Sequence, residues 1–537
     1  MMRGRRIPIA LPNTGALSRR RHTLYIRSAI IVFILFAFLQ FHVINYDSSD
    51  GGSSDSTNYS TAAILQMVPP VFHKYLTGKA RNATHAQNGT HFGSDGPRTA
   101  NISEILRMIH RYNELQTVLN EDIYGPLQND SVIIVVQVHK RITYLRHLIV
   151  SLAQARDISR TLLVFSHDHY DDEINDLVQS IDFCKVMQIF YPFSIQTHPS
   201  EFPGADPGDC PRDIKKEQAL LRKCNNALHP DLYGHYREAK FTQTKHHWWW
   251  KANRVFDQLE VTKYHTGMVV FLEEDHYVAE DFLYILELMF RKSQDLCPKC
   301  NILSLGTYLK TFNYYTYNKK HQQQQKLLQQ QRQLQQQQLL QKQQLKRQQE
   351  QQQQQQPDQQ ESGQPQVTTE KYASQSQWGY QVLPTLYSIY QKVEVTPWVS
   401  SKHNMGMAFN RTTWYEVMRC GRHFCEYDDY NWDWSLQHVS QQCLKQKLHV
   451  MVVKGPRVFH IGECGVHHKK SNCESNQVIS KVQQVLKVAR GSQQLFPRSI
   501  SLTQTSVIKK TKLRKGNGGW GDQRDHQLCF NMTLVGR

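Results

Sequence analysis

The 537-residue chain carries 39% hydrophobic residues, enough for a substantial core, which excludes a wholly disordered protein. Its formal charge of +18, from 64 basic against 46 acidic residues, favours anionic partners such as phosphates, nucleic acid or lipid headgroups without choosing among them.

At the N-terminus Arg3, Arg5, Arg6, Arg19, Arg20, Arg21 and Arg27 precede an apolar run over 29–39 that continues through Gln40 and His42 to Ile44. Positive charge on that flank predicts a cytosolic tail over 1–28 and an uncleaved signal-anchor over 29–44, with the rest of the chain translocated. A cleaved signal peptide is the alternative, but no small-x-small site follows Ile44. The run is short and suits a thin bilayer of the early secretory pathway. Sequons at Asn58, Asn82, Asn88, Asn101, Asn129, Asn410 and Asn531 all lie beyond it, as do all eleven cysteines, which fits an oxidising lumen. An odd count leaves at least one thiol unpaired or shared between chains. Cys297-Pro-Lys-Cys300 has zinc-ligand spacing, but without a second CxxC a disulfide framework is the better reading.

Residues 45–110 are rich in Ser, Asn, Thr, Gly and His and read as a stem before a catalytic domain over 111–537. From Ser131 "SVIIVVQVH" predicts a strand covered on both faces, Leu145, Leu148, Ile149 and Leu152 a helix, and "TLLVFSHD" and "KVMQIFYP" two further strands. This rhythm predicts βαβ crossovers and an α/β fold. Strands return at "GMVVFLEED" and "NILSLGTY", with a helix over "EDFLYILELMF" between them. Ligands gather at the C-terminal ends of strands in such sheets, so Gln137 to Arg141, Asp168 and Asp275 are expected to share one crevice. The glutamine-rich stretch 321–366 has too few apolar side chains for a core and reads as a disordered insertion, with partner binding as its alternative.

Glu273, Glu274, Asp275 and His276 follow a buried strand directly. Clustered carboxylates in a partly dry site repel unless a cation sits against them, and a divalent ion is the natural one. Carboxylate and imidazole donors together favour Mn²⁺ over Mg²⁺. In "FCEYDDYNWDWSLQHV" a helix would put Asp429 and Asp433 on one face, i and i+4, with Tyr430, Trp432 and Trp434 as a sugar-stacking wall. One of these acids is then a candidate general base. On the plainer alternative Asp428 or Asp429 caps the helix and the tryptophans are core, while Asp433 lies too far in to cap.

The stretches "VVQVHKR", "FSHD", "KFTQTKHHWWWKANRVF", "FLEEDHYVAEDF", "LSLGTY", "SKHNMGMAF", "YDDYNWDWSLQ" and "RVFHIGECGVHHKK" together resemble the N-acetylglucosaminyltransferase II family, from about Glu104 to the C-terminus. That resemblance implies a disulfide-stabilised GT-A fold, a Rossmann-like mixed sheet flanked by helices. It also implies an inverting type II Golgi enzyme that moves GlcNAc from UDP-GlcNAc to O2 of the α-1,6-arm mannose of N-glycans. It assigns Mn²⁺ to Asp275 and His460 and the base to Asp433. Donor contacts fall on Gln137, Val138, His139, Lys140, Arg141, Asp168, Gln243, Thr244, Lys245, His246 and His247. The implied disulfides pair Cys210 with Cys224, Cys297 with Cys300, Cys420 with Cys443, Cys425 with Cys529 and Cys464 with Cys473, leaving Cys184 free. The glutamine-rich insertion departs from the family pattern. An N-acetylglucosaminyltransferase I-like enzyme, and a non-catalytic luminal glycan-binding protein of the same fold, are the rival functions. A nucleic-acid partner fits neither the anchor nor the sequons.

Overall fold

A computed structural model describes residues 65–77, 101–306, 389–462, 475–503 and 515–534. The expected anchor, Asn58, Asn82 and Asn88, the glutamine-rich stretch, and Cys464 and Cys473 lie outside the described residues. Among the described residues no helix is long and apolar enough to cross a membrane.

The strands are β1 (Val118–Leu119), β2 (Ile133–Val138), β3 (Leu162–His167), β4 (Lys185–Phe190), β5 (Val269–Glu273), β6 (His276–Val278), β7 (Ile302–Ser304), β8 (Lys392–Pro397), β9 (Met407–Phe409), β10 (His449–Val453), β11 (Val458–His460) and β12 (Ser501–Leu502). Ten form one mixed sheet in the order β1-β4-β3-β2-β5-β9-β7-β10-β8-β12, and β6 pairs with β11 in a separate ribbon. Strands β4, β3, β2 and β5 run parallel, in register Gln137 with Ser166 and Glu273. Beyond β5 the neighbour β9 is antiparallel, which makes the sheet mixed.

The β-branched run of β2 is buried on both faces, as its composition predicts. Ile134, Val136 and Val138 pack on one side with Leu145, Leu148, Ile149 and Leu152 of α1 (Ile142–Ala153) and Ile285, Leu286 and Met289 of α2 (Phe282–Leu296). On the other side Ile133 and Val135 meet an aromatic layer. This layer is supplied by α3 (Ala239–Asn253), which is buried almost all round, and α4 (Trp432–Gln442). Trp248 stacks on Trp432 at 4.4 Å between ring centroids and 2° between planes, and Trp249 on Phe424 at 4.2 Å. The C-terminal helix α5 (Gln523–Leu534) is tied to this layer by the Cys425–Cys529 disulfide.

Cys210–Cys224, Cys297–Cys300 and Cys420–Cys443 are also joined, and Cys184 is a buried free thiol. Described residues within the stretch read as stem pack against the folded domain. A helix over Ile102–Leu115 buries Ile105 and Ile109 against Phe190, and the buried Tyr75 donates its hydroxyl to Asp182 Oδ1 at 2.6 Å.

Candidate active site

The parallel strands β3, β2 and β5 are neighbours, so their C-terminal ends deliver Asp168, residues 137–141 and residues 273–275 to one edge. The chain leaving β2 wraps the acids that end β5. Glu274 Oε2 accepts from the His139 backbone N–H at 2.8 Å, and Oε1 from Arg141 Nε at 2.7 Å. A terminal nitrogen of Arg141 donates to Asp275 Oδ2 at 2.8 Å. Beside it, His139 Nδ1 lies 2.6 Å from Asp168 Oδ1, and His247 Nδ1 lies 3.4 Å from Asp168 Oδ2. Burial alone would raise Asp168, but the hydrogen bonds from His139 and His247 hold it well below the usual carboxylate range. His139 is raised in turn: burial works against its charge, and Asp168 outweighs it.

Gln137, Val138, His139, Arg141 and Asp168 therefore sit together at the strand ends, with Lys140 exposed at the tip of the turn. The helical residues divide. His247 joins Asp168 and also bonds Ser166 Oγ at 2.8 Å, and Gln243 accepts the Ile195 N–H at 2.7 Å. Thr244 is half-buried. Lys245 and His246 turn into the interior instead. His246 Nε2 lies 2.9 Å from Asp525 Oδ1, which Arg237 also holds, and Lys245 Nζ donates to the Tyr427 and Asp429 carbonyls, each at 3.0 Å. One turn beyond His247, the buried Lys251 donates to Gln137 Oε1 at 2.6 Å. The sequence reading missed this lysine, although its spacing of four from His247 puts both on one helix face. Burial lowers Lys251 and raises Glu273, and each one's charge opposes the other's shift.

The β6–β11 ribbon supplies the histidines. Its register sets His460 across from His276, and Ile461 N–H donates to the Asp275 carbonyl at 2.9 Å. His460 Nε2 stands 3.1 Å from Asp275 Oδ2. Burial would raise Asp275, but His460 and Arg141 hold it well below the usual carboxylate range. The surroundings fit a divalent ion. Asp275 Oδ1 is buried with no hydrogen-bond partner, and a Cβ at position 462 would come within 2.2 Å of Oδ2, so Gly462 keeps that oxygen open to approach. Asp275 Oδ2 and His460 Nε2, 3.1 Å apart, are a carboxylate and an imidazole donor that would together hold a divalent ion. Glu273, Asp275 and His276 also bring donor atoms within 4.8 Å of one another, so Asp275 belongs to both candidate ligand sets.

The acidic–aromatic stretch differs from the sequence reading. The helix α4 begins at Trp432 with Asn431 as its N-cap residue, so Asp429 and Asp433 do not share a helix face. Asp429 is fully buried in the preceding turn: Oδ1 accepts from Asn431 N and Nδ2, each at 2.9 Å, and Oδ2 from Asn517 N and Nδ2 at 2.9 and 2.8 Å. Asp428 accepts from Leu232 N–H at 2.6 Å and Trp520 N–H at 3.0 Å. Neither acid caps the helix: Asp428 is taken up by backbone N–H groups from distant segments, and Asp429 by Asn431 and Asn517. Asp433 lies in the first turn, not deep in the helix. Its Oδ1 accepts from Trp434 N–H at 2.9 Å and Oδ2 from Asn404 Nδ2 at 3.1 Å. Trp432 is core, stacked on Trp248, and forms no open sugar wall. Burial first, then the like charges of Asp429 and Glu273, push Asp433 up to about 7, the range of a general base that works near neutrality.

The geometry is that of an enzyme site suited to an anionic substrate: a buried carboxylate beside an imidazole, cationic side chains at the strand ends, and a second carboxylate raised by burial. The family model for N-acetylglucosaminyltransferase II (MGAT2) matches residues 106–335 and 378–529. The chain is 39% identical over 434 residues to alpha-1,6-mannosyl-glycoprotein 2-beta-N-acetylglucosaminyltransferase of Rattus norvegicus, covering 81% of each, and 37% identical to that of Homo sapiens, covering 81% of this chain and 80% of the human protein. A solved structure of S. aureus TarS, residues 1–349, is similar at a TM-score of 0.26 and 10% identity over 66% of this chain and 71% of that one. The chain belongs to the N-acetylglucosaminyltransferase II family.

Proposed function

We propose that this protein transfers GlcNAc from UDP-GlcNAc in β-1,2 linkage to the α-1,6-arm mannose of N-glycans, with inversion, on a GT-A fold. The family and the activity in its relatives' names support the reaction, and the observation that carries it is the meeting of Asp275, His460, Arg141 and Asp168 at the ends of neighbouring parallel strands. Asp433 takes the proton of the mannose 2-hydroxyl. That oxygen forms its bond to the anomeric carbon as the bond from this carbon to the diphosphate oxygen breaks, and the electron pair leaves on that oxygen with UDP. Asp275 and His460 would hold Mn²⁺, which when bound neutralises charge developing on the leaving diphosphate. Arg141 fixes the orientation of Asp275, and residues 137–141 with Asp168 and His247 form the wall for the nucleotide. Glu274 keeps that wall in place through His139 and Arg141. The same reading puts the protein in the Golgi membrane through the 29–44 anchor, with its catalytic domain luminal.

The test is transfer by purified protein to two acceptors that differ only in GlcNAc on the α-1,3 arm. Transfer to the α-1,6 arm of the capped acceptor is expected. Transfer to the uncapped α-1,3 arm would make it an N-acetylglucosaminyltransferase I-like enzyme, and no transfer to either a glycan-binding protein.

A further inference from the structure

We propose that Lys245 is a positioning residue for the general base, acting through the turn that carries Asp429, and not a contact to the nucleotide. The proposal rests on the reading of Asp433 as base. Lys245 is fully buried on α3, and its ammonium has three N–H groups to satisfy. Two go to the carbonyls of Tyr427 and Asp429 at 3.0 Å each, and the Trp520 ring covers the rest, its centroid 4.0 Å from Nζ. No donor is left for a diphosphate.

What Lys245 holds is the segment leading into Asp433. Asp429 bonds Asn431, the N-cap residue of the helix in which Asp433 is the second residue. Its other oxygen is fastened to Asn517, in the glycine-rich segment 515–522 that lies across the turn. Gly518 donates its N–H to the Asp428 carbonyl at 3.1 Å and accepts from Tyr430 N–H at 3.2 Å. The glycines are required here. A Cβ at Gly516 would lie 2.2 Å from the Asp428 carbonyl oxygen and one at Gly521 2.4 Å from the Pro230 carbonyl oxygen, while Gly518 has φ +81°. Trp520, above the ammonium, is itself fixed by Nε1–H to the Cys425 carbonyl at 2.7 Å. The turn is thus clamped between a cation from the first half of the chain and a strap from its end. Two carbonyls aimed at one buried amino group cannot shift without stripping its N–H groups of their partners. These contacts place the backbone from which Asp433 projects, while its carboxylate is fixed by Trp434 N–H at Oδ1 and by Asn404 at Oδ2.

The experiment compares full-length wild type, Lys245→Met, Asn517→Ala and Asp433→Asn. The readouts are kcat, KM for UDP-GlcNAc, and the Kd of UDP with Mn²⁺ by calorimetry. Displacing the base by about 1 Å costs on the order of 10²-fold, so Lys245→Met should lower kcat by about that factor and leave the UDP Kd within about threefold. Asn517→Ala removes one strap bond at a site remote from any ammonium–phosphate contact, and should show the same split at about tenfold. It keeps the question answerable if Lys245→Met does not fold. A UDP Kd weakened tenfold or more in Lys245→Met with kcat preserved would overturn the proposal, as would unchanged kcat in Asn517→Ala. Near-normal kcat in Asp433→Asn would instead defeat the assignment of the base, whichever way the lysine variant behaves.

Discussion

Replacing Asp433 by asparagine should stabilise the protein while disabling it. Burial and the like charges of Asp429 and Glu273 raise this carboxyl from 3.8 to about 7 in the folded chain. A folded state that holds the proton more tightly than the unfolded one is disfavoured wherever the unfolded chain has already lost it. The penalty is therefore absent below about pH 3.8, grows between about 3.8 and 7, and is constant above. At about 1.4 kcal/mol per pH unit its ceiling is about 4 kcal/mol. Asparagine escapes this penalty but forfeits some hydrogen bonding. It keeps an oxygen for the Trp434 N–H and presents an amide to Asn404, whose own amide must turn to accept it, a loss of about 1 kcal/mol. The net gain is about 3 kcal/mol at pH 8 and about 1 kcal/mol at pH 5. Urea unfolding of both proteins at the two pH values, with a chelator present, measures it. In parallel, wild-type kcat should rise with pH through about 7 and the variant should lose about 10²–10⁴-fold. A stability gap between variant and wild type that is the same at pH 5 and pH 8 would refute the reasoning, because a base without a raised proton affinity has nothing to gain from neutralisation.

Asp275→Asn should weaken the Mn²⁺-dependent binding of UDP by about 10–100-fold, since it removes the charge shared by Arg141 and His460. Calorimetry with and without the ion checks this, and an unchanged metal dependence would count against Asp275 as a ligand. Arg457 and Asp281 form an ion pair with both side chains fully buried, so Arg457→Met should cost about 3–5 kcal/mol by stranding a carboxylate. Adding Asp281→Asn should recover part of that loss in the same melts, and no recovery would show that the arginine acts through packing alone.

The parallel half of the sheet was legible because its strands are buried on both faces, and unbroken β-branched runs such as Ile133–Val138 are what such burial requires. The convergence of Gln137, Asp168 and Asp275 followed from the rule that ligands collect at strand ends, needing only that β3, β2 and β5 be neighbours. Strands β8, β9, β10 and β12 complete the sheet beyond β5, and the pattern reading did not find them. Two of them, β9 and β12, are three and two residues long, too short for a period of two to register, whereas β8 and β10 have six and five. Helix α3 hid its roles for the opposite reason. A helix buried on nearly every side has no polar face to mark direction: Lys245 and His246, which the family resemblance offers as donor contacts, turn inward while His247 and Lys251 reach the strand ends.

Asp433 and His460 show what sequence spacing lacks. Asp429 and Asp433 are four apart, the separation of a shared helix face, yet the helix starts only at Trp432. It starts there because Asp429 is held outside it by Asn517, 88 residues further on. His460 follows the same logic through register. A slip of one residue in the β6–β11 pairing would turn it to the opposite face of the ribbon, away from Asp275. That register begins one residue after Arg457, whose guanidinium is locked to Asp281 and to the carbonyls of Gly455 and Tyr390 and whose N–H meets the Leu305 carbonyl. The proposed base and the second candidate metal ligand thus both sit on segments held by buried charges outside the proposed reacting centre. Their chemistry can be read from residue type, but their direction depends on long-range contacts that local periodicity does not contain.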